Sequence, residues 1–164
     1  MRTRSALGLS AAMIIVAACA HPVAEAPAPM AWSFNHTHSE GLKLVYGLPQ
    51  SDNVLVMLSC HPQSGEVEVA VVTSDGVSGP GDSGAVGLSS RQERLDLTSA
   101  VAPTPIAGVG VVIESAAANT PALDRFARTG ELSVQTAGKT VAAPARGADQ
   151  ALVSDFFGQC GQPV

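Results

Sequence analysis

Aromatic residues make up only 4% of the 164 positions, so the chain is short of the largest fillers of a hydrophobic core. With Gly (16) and Pro (11) plentiful, any core must rest mainly on Val, Leu, Ile and Ala, carried on short elements separated by many turns. Positive charge is also sparse, nine Lys and Arg against 14 Asp and Glu, and the formal net charge of −5 excludes a basic nucleic-acid binder. Heptads and repeats of 20 to 50 residues are missing, which leaves coiled-coil and solenoid architectures without support. Against these shortages, 46% of the residues are hydrophobic. That is too many for an acidic disordered chain, and the length suits one domain or two small ones.

The first informative segment is N-terminal. Arg2 and Arg4 precede an apolar run from Ala6 to Ala18, the charged and apolar regions of a secretory signal. Crossing a bilayer takes roughly 20 apolar residues, and this run is shorter and interrupted by Gly8 and Ser10. It ends in Val16-Ala17-Ala18-Cys19, which resembles a bacterial lipobox. The resemblance implies a signal peptide over 1–18, a thioether-linked diacylglycerol on Cys19, cleavage before that residue, and an acylated new N-terminus such as a palmitate. Two or three acyl chains anchor stably where one does not. Ala20 follows Cys19 where an Asp would favour inner-membrane retention, so the expected place is the outer membrane, facing the periplasm. Loss of Arg2 and Arg4 with the signal would take the net charge from −5 to −7.

Residues 19–31 carry several prolines and little that can pack, and they read as a tether. A single β-rich domain is expected over 32–164. With Cys19 taken by lipid, Cys60 and Cys160 remain, an even number for an oxidising compartment, and they are expected to be joined. The bridge would hold the C-terminal segment against the early part of the domain.

The domain reads as α+β, mostly β: an antiparallel sheet or sandwich of about 7–9 short strands, with two short helices near the C-terminus. Runs at 42–46, 54–60 and 66–72 are strands bounded by turn residues. In Glu66-Val-Glu-Val-Ala-Val-Val72 the alternation puts Val67, Val69 and Val71 on one buried face. A Gly-rich loop over 74–84 leads to strands at 86–90 and 91–101, and the apolar strand at 109–115 is expected to be central. Thr120 and Pro121 open a helix with Leu123, Phe126 and Ala127 on its apolar stripe, closed by Gly130. Strands at 131–136 and 139–143 flank a tight hairpin at 137–138, and a last helix over 147–157 carries Leu152, Val153, Phe156 and Phe157.

The stretch Leu123-Asp-Arg-Phe126, Gly130-Glu-Leu-Ser-Val134, Gly138-Lys-Thr-Val141, Leu152, Phe156-Phe157 and Cys160 resembles the closing module of small exported alphaproteobacterial proteins of the invasion-associated locus B type. Tyr46-Gly-Leu-Pro-Gln-Ser-Asp52 with Leu58-Ser-Cys60 resembles the opening of envelope proteins of the same general kind. The resemblance implies a β-rich domain closed by a helix, a strand pair and a final helix. Its motifs are packing residues, and no catalytic residue is carried over.

Four patterns touch on chemistry. Gly81-Asp-Ser-Gly84 matches the nucleophile segment of chymotrypsin-like proteases, but Ser83 lacks their upstream His context and sits in a chain too short for two barrels. His36 and His38 at i and i+2 would share a strand face, with His61 or Glu40 as a third ligand for zinc or copper. Glu66 and Glu68 share a face, which on an alternating strand is the solvated one. Gly108-Val-Gly110 is an incomplete dinucleotide fingerprint set in a strand. The expectation is a non-enzymatic binding or structural lipoprotein, with no cofactor besides the lipid on Cys19. Its partners are the membrane, through the anchor, and an envelope protein, peptidoglycan or a small ligand; nucleic acid is not among them. The alternative is a metal-dependent periplasmic enzyme or metal-binding protein using His36 and His38.

Overall fold

A computed structural model describes residues 29–74, 82–136 and 138–161. Nine strands form one antiparallel sheet: β1 Ala31–Thr37, β2 Gly41–Gly47, β3 Val54–Cys60, β4 Glu66–Thr73, β5 Ser83–Ser90, β6 Glu93–Pro103, β7 Gly110–Ala117, β8 Ser133–Thr136 and β9 Lys139–Ala142. Helices α1, Pro121–Thr129, and α2, Ala148–Gly161, complete it. The spatial order is β1-β2-β3-β4-β7-β6-β5-β8-β9, which makes β7 the middle strand. One curled sheet, rather than two packed ones, carries the fold.

Strict alternation fixes its two faces. One inner row runs across six strands, Trp32 to Tyr46 to Val56 to Val71 to Val112 to Val101, each opposite the next. Val67, Val69 and Val71 are fully buried, as the alternation of β4 requires. The helices lie on this inner face, α1 over β5 and β6, α2 over β1 and β2, and they touch each other. Beyond β9 the chain returns to the opposite edge, where the Trp32 Nε1–H donates to the Ala143 carbonyl at 3.2 Å. The amide of Trp32 also donates to Asp149 Oδ2, in the first turn of α2, at 3.4 Å.

All six aromatic residues of the sequence meet here. Tyr46 and Phe126 each lie 5.2 Å from Trp32; Phe126 continues to Phe157 at 6.0 Å, Phe157 to Phe156 at 5.2 Å, and Phe156 to Phe34 at 6.2 Å. The few large side chains are concentrated where strand β1, strand β2 and both helices converge. Tilted and edge-on contacts at these separations add to simple area burial.

Local chemistry explains the helix ends. Pro121 occupies the first helical position of α1 and Gly130 closes it in the left-handed conformation, its N–H donating to the Phe126 carbonyl at 2.8 Å. Thr120 holds the N-cap position but its hydroxyl makes no capping bond and is buried without a partner. Helix α2 runs on to Gly161, beyond the expected end at Phe157, and so includes Cys160.

Two local expectations are corrected, and one strand is added. Strand β1 is not among the runs named from the sequence, because its Ser33, Asn35 and Thr37 alternate with only two large apolar residues. Ser83 and Gly84 belong to β5 and not to the Gly-rich loop; Gly84 is needed because Val112 and Val101 pack over it, and a Cβ would come within 2.4 Å of Val112. Gly108 lies in the turn before β7 with φ +75°, while Gly110 starts the strand.

Candidate functional site

Cys60 ends β3 and Cys160 lies in the last turn of α2; their Cα atoms are 5.8 Å apart and a disulfide joins them. Both are buried. Backbone bonds seat the same helix end on the β3–β4 turn, from the Gln63 N–H to the Gln159 carbonyl at 3.0 Å and from the Gly65 N–H to the Cys160 carbonyl at 3.1 Å. The bridge spans 100 residues and ties the last turn of α2 to the end of β3.

His36 lies near the end of β1, opposite Leu42, and His38 lies past the strand end in the β1–β2 turn, so the two do not share a strand face. His61 sits in the β3–β4 turn with its ring near Gly41, and all three imidazoles are exposed. Among the described residues, no three His, Cys, Asp or Glu side chains come together as a metal-holding group. Glu40 is paired with Lys43 at 3.0 Å. Glu66 and Glu68 stand on the outer, solvated face, where Glu68 accepts a bond from the Ser59 hydroxyl at 3.2 Å. Cys19 lies outside the described residues.

The surface offers shallow concavities. A groove of about 520 Å³ runs beside β1 and the β2–β3 turn, with Trp32, Val45, Leu48, Pro49 and Val54 in its wall. A second, of about 410 Å³, lies at the other end of the same strands beside Lys43, His61, Glu66 and Glu68. Four ion pairs, Lys43–Glu40, Arg91–Glu131, Arg94–Asp96 and Arg128–Asp124, each have at least one strongly exposed partner. Such pairs stabilise a fold little and mark solvated surface.

Sequence reasoning did not single out the outer face of β2, β3, β4 and β7. There Val45, Met57, Ala70 and Ile113 stand opposite one another in a row. Ala70 is only 6% exposed although it is no part of the inner core, so its neighbours on the outer face cover it. The signal was available: Val45, Met57 and Ile113 occupy the solvent-side positions of their strands and are apolar. No protein-family model, curated protein or solved structure matches this chain.

Proposed function

We propose that the chain is a lipid-anchored protein of the bacterial cell envelope, held by acyl chains on Cys19 in the outer membrane and facing the periplasm. Its domain serves as a binding or structural module rather than as an enzyme. The observation that carries this reading is the sequence Val16-Ala17-Ala18-Cys19 behind Arg2, Arg4 and an apolar run of signal length. The Cys60–Cys160 disulfide supports it, because such bonds persist in oxidising compartments. The interior supports the module reading: the space between sheet and helices is filled by the aromatic cluster, so a partner meets the domain at its surface. The acidic charge argues against nucleic acid as the partner, and another envelope protein or peptidoglycan is the partner proposed.

Fractionation of cells expressing the wild type and Cys19→Ser tests the anchor. The wild type is expected in the outer-membrane fraction and Cys19→Ser in the soluble fraction; equal membrane retention of the two would refute the reading. Crosslinking in intact cells is then expected to trap a discrete adduct with an envelope component.

A further inference from the structure

Beyond Arg4 the sequence holds only seven Lys and Arg residues. Three of them, Arg91, Arg125 and Arg146, line two adjoining concavities. One, of about 280 Å³, lies between Arg91, Gln92 and Glu93 at the β5–β6 turn and Arg125 of α1. The other, of about 360 Å³, has Arg91, Glu131, Pro144 and Arg146 in its wall. Arg91 belongs to both, so the two open onto one basic patch of an otherwise acidic chain.

The fold positions these side chains without pairing them all. Arg91 takes φ +55° in the turn that joins β5 to β6, and its Nε and Nη2 donate to Glu131 at 2.8 and 3.5 Å. Arg125 stands in the middle of α1, one residue before Phe126, whose side chain is fully buried. It is half-buried, and its Nε–H is buried without an acceptor. Among the described residues neither Arg125 nor Arg146 forms an ion pair, and Asp124, next to Arg125, is taken by Arg128. A guanidinium stays charged at every pH the protein meets. One that is partly withdrawn from water, with no counter-charge and no acceptor, is costly for the fold and marks a place where a ligand completes the pairing.

We propose that Arg125 and Arg91, with Arg146 beside them, bind the free carboxylate that ends a short peptide. This deepens the binding-module reading given above by naming the chemistry the module takes. The guanidinium fork matches a carboxylate in two parallel hydrogen bonds. Charge balance selects carboxylate over phosphate. Glu93 and Glu131 stand against the three arginines and leave a net +1, which one carboxylate cancels; a dianionic phosphate would bring excess negative charge beside two glutamates. Small, shallow concavities suit the end of a chain rather than a folded segment. In a cell envelope two components end in this way, the stem peptide of peptidoglycan and the C-terminus of another protein. They share the carboxylate and differ in the hand of the last residue. Glu93 gives the proposal a sign: as a like charge in the same concavity it opposes the ligand, so its removal strengthens binding.

The test titrates the full chain, isotope-labelled and purified as cells make it, with N-acetyl-alanyl-alanine in its D,D and L,L forms and with the C-terminal amide of each. Nuclear magnetic resonance follows the arginine Nε–H and backbone signals. An acid form is expected to shift the signals of Arg125 and Arg91 saturably, while the amides leave them in place. Arg125→Gln is expected to weaken binding about tenfold or more, with thermal unfolding as the check on its fold, because a charge-assisted pair is lost. Glu93→Gln, which alters no arginine, is expected to tighten binding several-fold. A preference for the D,D form assigns the site to the peptidoglycan stem, and its lack to a protein C-terminus. Equal shifts with acid and amide, no saturable shift with either acid, or weaker binding in Glu93→Gln would overturn the site. Fractionation of Cys19→Ser and crosslinking in intact cells test the anchor and the module separately, so their failure is distinct from failure of the site.

Discussion

Gly130 adopts φ +67°, and a Cβ at this position would stand 2.3 Å from the Ala145 carbonyl oxygen. Its own carbonyl accepts the Ala145 N–H at 2.7 Å, so neither partner has room to move. Gly130→Ala is expected to destabilise the domain by about 1–3 kcal/mol in urea titration. Trp32 joins the two edges of the curl through its indole N–H. Trp32→Phe keeps most of the packing but leaves the Ala143 carbonyl without this donor, at a cost of about 1–3 kcal/mol by the same measurement. These residues differ in how far the sequence reveals them. The buried faces of Val67, Val69 and Val71 are legible because alternation is local, and the close of α1 at Gly130 because helix ends have local chemistry. The bond from Trp32 to Ala143 joins residues 111 apart and leaves no local pattern. Gly84 is small because of Val112, on a strand that does not adjoin β5.

At the level of elements, α2 shows how a helix of mixed character is held. Only Val153, Phe156, Phe157, Cys160 and Gly161 are buried along it, and its last turn is fastened by the disulfide and by the bonds to Gln63 and Gly65. A double Cys60→Ser, Cys160→Ser variant frees a loop of about 100 residues in the unfolded chain and is expected to lose up to about 4.7 kcal/mol. Thermal unfolding followed by Trp32 fluorescence reads this directly, since Trp32 is the single tryptophan and lies in the cluster that α2 covers. Phe126→Ala, which removes the link between Trp32 and Phe157, is expected to cost about 3–5 kcal/mol in the same assay. The bridge was legible from an even pair of cysteines in a chain whose N-terminus reads as an export signal. Strand β1 was not, because an edge strand is wetted on more sides and its apolar alternation is diluted.

For the whole molecule, the antiparallel β-rich class follows from many short runs and turns, but the strand order does not. Pairing of β4 with β7 and of β5 with β8 brings together strands distant in sequence, and nothing local encodes which edge meets which. The same applies to the gathering of six aromatics into one cluster: their scarcity was visible, and their convergence was not. Together these features describe a disulfide-closed, β-rich domain. The proposed function rests on the anchor at Cys19, so the anchor is what most needs a direct measurement. Metabolic labelling with an alkyne fatty acid, followed by detection on the purified protein, supplies it. Wild-type protein labelled and membrane-bound, with Cys19→Ser unlabelled, is the predicted result; unlabelled wild type, or equal labelling of both, would contradict it.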